Sequence, residues 1–378
     1  MLTLIKNAQI YTPDPIGKKD LLIAGGKIAA IEDEIIPSFP VEAEVIDAEG
    51  KILTPGFIDQ HVHITGGGGE GGFATRTKEI DASDLLDNGI TTVVGVLGTD
   101  GVTRSMEGLY AKAKALELEG VSTYIYSGSY QVPLVTLTGS VQRDMVLIDK
   151  VIGAGEIAIA DHRSFHPTVN ELARVASEAR IGGMLSGKAG VVHLHMGDAE
   201  EGFGLIYALL KRTAIPIAHF VPTHVNRNRR LLEEAVNFCK RGGTVDLTAG
   251  FEPEEGFTDC VPAYEAMKYL MGHGVDPNFI TFSSDGNGSK PSFNEKGELT
   301  GIEAASCKIL LADMQKAVKF SGIPLETVLK AVTSNPARVL KLNTLKGGVF
   351  VGADADMVLM DRAVEVEAVF VQGRRRQV

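Results

Sequence analysis

A short apolar stretch recurs eight times along the sequence, and a helix-like segment follows most of these stretches. Strands that alternate with helices pair in parallel, because each helix carries the chain back to the same end of the sheet. Eight such units fit an α/β fold of the (β/α)8 TIM-like barrel type, with a doubly wound open sheet as the alternative. The apolar stretches are 57–63, 91–96, 122–127, 156–161, 191–197, 215–224, 244–249 and 280–285. A longer helical stretch is expected near 303–320, after the last strand.

The two ends of the chain differ from this pattern and contain short alternating segments separated by glycine turns. We expect strands at 2–11, 21–23 and 27–31, a further strand pair at 45–50 and 51–53, and strands again at 347–350, 355–360 and 364–372. The N-terminal strands are too few to bury a core alone, so the C-terminal ones should complete it. The predicted organisation is a small β-sandwich domain, 1–54 with 341–378, and a barrel, 55–340, inserted between its halves.

Histidines and carboxylates recur at or near the ends of the predicted barrel strands. His61 and His63 end the first strand, and side chains two residues apart point to the same face of a strand. Functional groups of this fold gather where the strands end, so later strands should supply partners. The expected partners are Glu156, His195, His224 and Asp285. Four imidazoles and two carboxylates suit zinc or a similar divalent metal, and six ligands fit two ions better than one.

The remaining histidines have weaker positions. His193 shares a strand face with His195 and is a rival ligand. Four others lack a strand-end position and are expected in loops or packing contacts: His162, His166, His219 and His273.

Composition excludes several classes of protein. The 378 residues carry a formal charge of −11, which is unfavourable for broad nucleic-acid binding, and the basic run 374–376 is expected to be a solvated tail. No apolar run approaches the roughly 20 residues of a membrane span. The three widely spaced cysteines offer no disulfide framework, and the N-terminus lacks a signal-peptide layout. We expect a cytoplasmic enzyme with no membrane partner.

Motifs across the whole predicted barrel carry a family resemblance. The run PGFIDQHVH at 55–63 resembles the amidohydrolase superfamily, and its continuation, GGGGE at 66–70, is similar to the isoaspartyl dipeptidase (β-aspartyl peptidase) family. The further matching motifs are LGTD at 97–100, SGSY at 127–130, DHRS at 161–164, HMGD at 195–198, PTHVNRN at 222–228 and SSDGNGS at 283–289.

This resemblance implies a binuclear zinc centre. The first metal would be bound by His61, His63 and Asp285, and the second by His195 and His224. The family usually bridges its metals with a carboxylated lysine, and the matching position here is Glu156, in a strand that is one residue longer before this point. A glutamate supplies the same bridging carboxylate from a shorter side chain, so we expect Glu156 to be the bridge. Lys150 is the competing candidate, six residues earlier.

The chemistry expected of such a centre is amide hydrolysis. A hydroxide between two metals would attack the carbonyl of a β-aspartyl dipeptide, and Tyr130 would donate a hydrogen bond to the developing oxyanion. Asp285 would carry the proton to the leaving amine.

The substrate has one free α-amine and two carboxylates. Glu70 matches the amine, and Arg163 and Arg227 match the carboxylates through bidentate hydrogen bonds. The resemblance adds backbone contacts near Gly68 and side-chain contacts from Thr99 and Ser289.

Two other functions stay open. A dihydroorotase-like hydrolase of cyclic amides would have no free α-amine for Glu70 to bind. A non-catalytic scaffold would be expected to have lost ligands, and here only the bridging position departs from the family pattern. The resemblance also implies a homo-oligomer, an octamer.

Overall fold

The structure is a computed structural model that describes residues 2–37, 42–253, 259–293 and 299–378. Its strands are β1 Leu2–Tyr11, β2 Pro15–Ala24, β3 Lys27–Glu32, β4 Ala43–Asp47, β5 Ile52–Pro55, β6 Phe57–Val62, β7 Ile90–Gly95, β8 Ser122–Ser127, β9 Val151–Ile159, β10 Val191–Met196, β11 Phe220–Thr223, β12 Val245–Thr248, β13 Ile280–Ser283, β14 Ser289–Phe293, β15 Leu299–Ala304, β16 Met357–Met360, β17 Val366–Val371 and β18 Arg374–Gln377. Its helices are α1 Ala82–Leu86, α2 Met106–Leu118, α3 Val141–Leu147, α4 Val169–Ser186, α5 Gly204–Arg212, α6 Arg229–Lys240, α7 Ala263–Gly272, α8 Lys308–Lys319, α9 Leu325–Val332 and α10 Ser334–Val339.

The central strands form a parallel barrel. Strands β6 to β11 pair in sequence order, and β12 pairs with β13, all in parallel. Strand β11 lies beside β12, and β13 lies beside β6, where Val62 forms a parallel bridge to Gly286. The predicted barrel is therefore confirmed.

Local sequence signals fix the crossover helices. In α4, the Oγ1 atom of Thr168 accepts a hydrogen bond from the amide of Glu171, whose carboxylate accepts one from the Thr168 amide. This reciprocal capping satisfies two amides that the first turn leaves unpaired. Gly187 ends the helix in a left-handed conformation, with φ of 74°.

The end of the barrel at the amino termini of its strands, the lower end, is closed, and the end at their carboxyl termini, the upper end, is open. Ala337 of α10 and the following Leu340 pack against interior residues such as Ile58 and Tyr126. Asn335 of the same helix donates hydrogen bonds to carbonyls at the start of β13, so α10 lies at the amino-terminal ends of the strands. The carboxyl ends, where catalytic groups gather in this fold, remain accessible.

Strands from both ends of the chain meet in one sheet. The order is β18-β17-β16-β5-β1-β2-β3, and β4 also pairs with β1. The first half of β1 pairs with β4 and the second half with β5, both in parallel, and residues of these strands belong to an apolar core separate from that of the barrel. The division into a terminal domain, 1–54 with 341–378, and a barrel domain, 55–340, stays a prediction.

Two sequence expectations were wrong in detail. Residues 347–350 form bends and irregular backbone instead of a strand. The helix expected near 303–320 begins at Lys308, because the preceding residues form the antiparallel hairpin β14–β15 beside the barrel mouth. Residues 374–376 are exposed, as expected of a solvated tail, and belong to the edge strand β18. Within the described part of the chain, every helix is too short or too polar to cross a membrane.

Candidate metal and substrate site

The strand-end residues meet at the upper end of the barrel. His61 is in β6 and His63 follows it, whereas His224 and Asp285 lie one and two residues beyond β11 and β13. His224 and Asp285 have φ of 60° and 50°, a left-handed conformation that few non-glycine residues adopt. Such backbone conformations concentrate at functional sites, where the surrounding structure holds them in place.

Glu156 lies at the centre of this histidine cluster. Its Oε1 atom is 2.8 Å from Nδ1 of His195 and 3.2 Å from Nε2 of His224. Its Oε2 atom is 3.2 Å from Nε2 of His61. The glutamate is fully buried, and its carboxylate contacts three imidazoles.

Asp285 joins the two histidines of the first strand. Its Oδ1 atom is 3.0 Å from Nε2 of His63 and 3.3 Å from Nε2 of His61. His61 thus contacts both carboxylates, and the six predicted ligands form one continuous cluster.

Lys150 lies elsewhere. Its side chain is buried at the opposite end of β9, where the ammonium group pairs with Glu117 and donates to the Thr123 carbonyl at 3.0 Å. It is therefore committed to a structural contact, and of the two candidates only Glu156 reaches the cluster.

The cluster fits a divalent metal by its chemistry. His61, His63 and Asp285 present ligand atoms close to one another, and so do His61, Glu156 and His224. Nε2 of His61 and Oε2 of Glu156 are buried 3.2 Å apart but form no well-directed hydrogen bond with any described residue. A divalent cation held between them would satisfy both atoms.

Electrostatics give the groups of this cluster different protonation states. Burial opposes charge on His61, but Glu156 and Asp285 outweigh it and raise its pKa to about 10, so His61 is protonated at neutral pH between the two carboxylates and a bound metal would replace that proton. Burial would raise the pKa of Glu156, but His61 and the hydrogen bonds from His195 and His224 hold it well below its ordinary value. Burial lowers the pKa of His224 to about 3, so this imidazole is neutral and able to bind a metal.

His193, the rival ligand, lies behind the cluster. Its Nε2 atom is 3.0 Å from Nδ1 of His61, and its ring stacks on Tyr126 at 5.0 Å between centroids. His193 is fully buried below the site. It contacts Nδ1 of His61, whereas the carboxylates of Glu156 and Asp285 lie at Nε2 of the same ring.

A buried polar layer continues below His193. The carboxylate of Asp246, in β12, accepts hydrogen bonds at 2.7 Å from Gln60, Thr223 and Thr281. Burial raises the pKa of Asp246. Sequence reasoning did not single out this residue, although a lone carboxylate inside an apolar strand was the available signal.

Tyr130 and Arg163 border the His195 side of the cluster. The Tyr130 hydroxyl is 2.7 Å from Nδ1 of His195, and the Arg163 guanidinium lies over the Tyr130 ring. Arg163 donates to both oxygens of Asp161, at 3.0 and 2.9 Å, and Asp161 also lies 2.9 Å from Nε2 of His195. Sequence reasoning gave Asp161 no role, although its position two residues before Arg163 in the same motif was a signal that the two side chains could pair.

Glu70 lies across the pocket from the arginines, held by hydroxyls. Thr99 donates to it at 3.1 Å and Ser289 at 3.0 Å. The amide of Gly68 donates to the same Ser289 hydroxyl at 2.8 Å. The Nη1 atom of Arg163 is 3.9 Å from Glu70, so opposite charges face each other across a narrow gap.

Arg227 completes the cationic side. Its Nη1 atom is 3.6 Å from Asp161 and 3.8 Å from Asp198, and its Nε atom is buried without a hydrogen bond among the described residues. Arg227 also lines the pocket, where its guanidinium is placed to bind a carboxylate.

Arg104 braces the glycine run and was missed by sequence reasoning. It is buried and donates to the carbonyls of Gly67 and Thr77, at 2.7 and 3.1 Å, as well as to that of Thr65. Gly68 has φ of 78°, and a Cβ atom there would lie 2.2 Å from the Thr75 carbonyl oxygen. The run is therefore a tightly held backbone wall of the site.

Four histidines lie outside this cluster. His162 is an exposed neighbour of Asp161, and His166 is exposed in the irregular segment that follows. His219 hydrogen-bonds the Gly190 carbonyl, and His273 that of Tyr269.

A parallel barrel with clustered imidazoles and carboxylates at its carboxyl ends defines a class of metal-dependent hydrolases. The sequence profile of the amidohydrolase family matches residues 52–376. A crystal structure of β-aspartyl dipeptidase from Fervidobacterium islandicum AW-1, in complex with β-Asp-Leu dipeptide, is 48% identical with a TM-score of 0.91, covering 99% of this chain and 96% of that one. A second structure from that organism is 46% identical, with a TM-score of 0.91 and coverage of 100% and 97%. A dihydroorotase from Elusimicrobium minutum is 25% identical over 408 residues, 96% of this chain and 88% of that protein.

The chain therefore belongs to the amidohydrolase family of hydrolases and, within it, to the group of the β-aspartyl dipeptidases.

Proposed function

We propose that the protein hydrolyses the β-aspartyl (isoaspartyl) peptide bond of dipeptides with the help of two divalent metal ions, expected to be zinc. The observation that carries this proposal is the charge pattern of one pocket, in which Glu70 faces Arg163 and Arg227 beside the histidine cluster. One carboxylate and two guanidiniums complement the one amine and two carboxylates of a β-aspartyl dipeptide. The two β-aspartyl dipeptidase structures at 46–48% identity support the same substrate class.

The ligands we propose for the metals are the six clustered residues. One ion would be held by His61, His63 and Asp285, the other by His195 and His224, with Glu156 shared between them. Divalent metals in such a site make a hydroxide available at neutral pH and polarise the amide carbonyl.

Asp285 is the proposed proton carrier. Its carboxylate contacts His61 and His63 on one side and lines the pocket on the other. Burial would raise its pKa, but His61 and His63 keep it below its ordinary value, so the free carboxylate can accept a proton from the attacking water. It then gives that proton to the leaving nitrogen as the amide C–N bond breaks.

Tyr130 is the proposed donor to the oxyanion. Burial raises the pKa of its phenol well above the ordinary value, so the hydroxyl keeps its proton at neutral pH and can donate it in a hydrogen bond. The hydroxyl lies beside His195, at the edge of the same pocket.

The substrate's charged ends would be bound by residues that are already held in place. Asp161 fixes the Arg163 guanidinium and lies 3.6 Å from Nη1 of Arg227, which also lines the pocket. Thr99 and Ser289 orient Glu70 toward the free α-amine. The Gly68 amide fixes the Ser289 hydroxyl and adds backbone contact near the substrate.

A dihydroorotase-like activity is the second candidate, favoured by the distant relatives at 25% identity. A cyclic amide has no free amine, so the hydroxyl-held Glu70 would have no partner in such a substrate. A non-catalytic scaffold is disfavoured because the ligand set is complete.

We also propose, from the family resemblance alone, that the enzyme acts in the cytoplasm as a homo-oligomer, an octamer, with the dipeptide as its partner. Light scattering of the purified protein tests the assembly.

The experiment that tests the function is hydrolysis of β-Asp-Leu beside α-Asp-Leu and dihydroorotate, with metal content measured on the same sample. Cleavage of only the β-linked peptide by protein with about two metals per chain supports the proposal. Two metals with hydrolysis of dihydroorotate alone would replace it by the second candidate.

A further inference from the structure

A second cavity adjoins the candidate site. Its volume is about 250 Å³, against about 50 Å³ for the charged pocket that contains Glu70 and the arginines. Asp285 and Ser289 line both cavities, so the two share a wall. The smaller pocket matches the charged groups of a dipeptide but leaves no room for a bulky side chain.

The wall of this cavity nearest the metal ligands is apolar. Ala249 and Phe251 are buried at the end of β12, and the Phe251 ring lies 6.0 Å from that of His224. Ile309 of α8 extends this apolar lining, where it packs against Gly250, between Ala249 and Phe251.

The hydroxyls on the wall are already engaged. Thr248 lies 2.7 Å from Nδ1 of His224, Ser284 donates to Asp59, and Ser306 accepts the Lys308 amide at 3.3 Å. Because these hydroxyls already have hydrogen-bond partners, the cavity is better suited to an apolar occupant than to a polar one.

The charges near the cavity oppose each other in sign. Lys290 and Glu303 both line it and are cross-strand partners in the hairpin β14–β15. Opposite charges in this register offset each other, which leaves the Asp285 carboxylate, already engaged with His61 and His63, as the remaining charge on the lining.

The chemistry of the proposed function fixes what reaches this cavity. Asp285 gives a proton to the leaving nitrogen, so that nitrogen lies within hydrogen-bond reach of the Asp285 carboxylate. The carbon bonded to that nitrogen carries both the carboxylate and the side chain of the leaving residue. The carboxylate is drawn to the arginines, and the side chain then lies next to the wall formed by Asp285.

Resting on the proposed function, we infer that this cavity binds the side chain of the leaving residue and selects leucine-sized or phenyl groups over glycine or charged ones. An apolar cavity of about 150 Å³ can hold benzene, so 250 Å³ accommodates either apolar side chain.

The test compares kcat/KM for β-Asp-Gly, β-Asp-Leu, β-Asp-Lys and β-Asp-Phe. The wild-type enzyme should prefer β-Asp-Leu to β-Asp-Gly and β-Asp-Lys by about tenfold or more. Ala304→Phe fills the cavity from an exposed wall position and should lower the Leu-to-Gly ratio by about tenfold. Ile309→Ala enlarges it and should shift the preference toward β-Asp-Phe. Ala363→Phe, an exposed substitution in the terminal sheet region, is the matched control and should leave the ratio unchanged.

Each other outcome has a distinct meaning. Equal hydrolysis of β-Asp-Leu and β-Asp-Gly by the wild-type enzyme overturns the cavity assignment and leaves the proposed function standing. A leucine preference that neither Ala304→Phe nor Ile309→Ala changes also overturns it. If metal-loaded enzyme cleaves none of the four peptides, the proposed function fails and the cavity assignment fails with it. If Ala304→Phe does not fold, the peptide preference of Ile309→Ala tests the cavity assignment by itself.

Discussion

The Nε2 atom of His193 lies 3.0 Å from the Nδ1 atom of His61, with the two rings nearly perpendicular. A metal bound through Nε2 of His61 leaves the ring proton on Nδ1, so His61 would then donate a hydrogen bond to His193. His193 is held in turn by stacking on Tyr126. We interpret it as a positioning residue and not as a ligand.

His193→Phe should weaken metal binding by about 10–100-fold, because the ring shape is kept and the hydrogen bond to His61 is lost. His193→Gln keeps a polar group and should restore part of that loss. Chelator competition measures the affinity, with thermal unfolding of each variant as the control for folding. A Phe variant that binds metal as tightly as the wild-type protein would leave His193 with a packing role only.

Glu156→Ala should release at least one metal and abolish most of the activity, because three imidazoles lose the carboxylate between them. Added bicarbonate should change neither metal content nor rate, since a glutamate bridge needs no carboxylation.

Lys150→Met is the matched control for this change, because Lys150 pairs with Glu117 away from the cluster. It should keep both metals while it loses some stability. Two results together would return the bridge to a lysine. The Met variant would lose metal, and the metal content of the wild-type enzyme would rise when bicarbonate is added.

Tyr130→Phe should lower kcat by about 10²–10³-fold if the hydroxyl stabilises the oxyanion. Because burial raises the pKa of Tyr130 well above its ordinary value, the phenol stays neutral as the pH rises through the range in which an exposed tyrosine ionises. The fold-loss should therefore be the same at every pH from about 7 to 11, a range that spans the ordinary tyrosine pKa of about 10. A loss that vanishes toward alkaline pH would mean that Tyr130 ionises there and acts differently.

Arg227→Met should raise KM for β-Asp-Leu by about 10–100-fold, because one charge-assisted hydrogen bond to a substrate carboxylate is removed. Arg229, two residues further on, is exposed and pairs with Glu233, so Arg229→Met is a control that should leave KM unchanged. Steady-state kinetics on both variants separate KM from kcat. An unchanged KM in the Arg227 variant would remove this residue from the binding site.

Gly98→Ala should impair metal binding from outside the ligand set. Gly98 has φ of 73°, and a Cβ atom there would lie 2.5 Å from Cε1 of His63. Gly274 has a similar φ of 80°, but its nearest contact for a Cβ is 3.9 Å away, at Lys240. Gly274→Ala should thus cost only the backbone strain, roughly 1–2 kcal/mol of unfolding free energy, and leave metal content unchanged. Equal metal content in the two alanine variants would show that His63 tolerates the displacement.

The sequence by itself determined the barrel and the ligand types. Strand–helix alternation forces parallel pairing, and parallel pairing brings all strand ends to one edge, so strand order alone groups His61, His195 and Asp285. The motifs that resemble β-aspartyl dipeptidases added the substrate residues, which the structure brings into one pocket. Their roles remain predictions.

Only the tertiary structure decided how these side chains face one another. Spacing assigns a residue to a face and an end of its strand, but not the ring atom that it presents across the barrel, so the sequence left His193 a rival ligand. The Asp246 layer depends on contacts between segments far apart in sequence. The Asp161–Arg163 pair and the hairpin β14–β15 depend on local geometry at the barrel mouth. Such contacts exist only once the sheet closes, because closure sets which strand ends become neighbours.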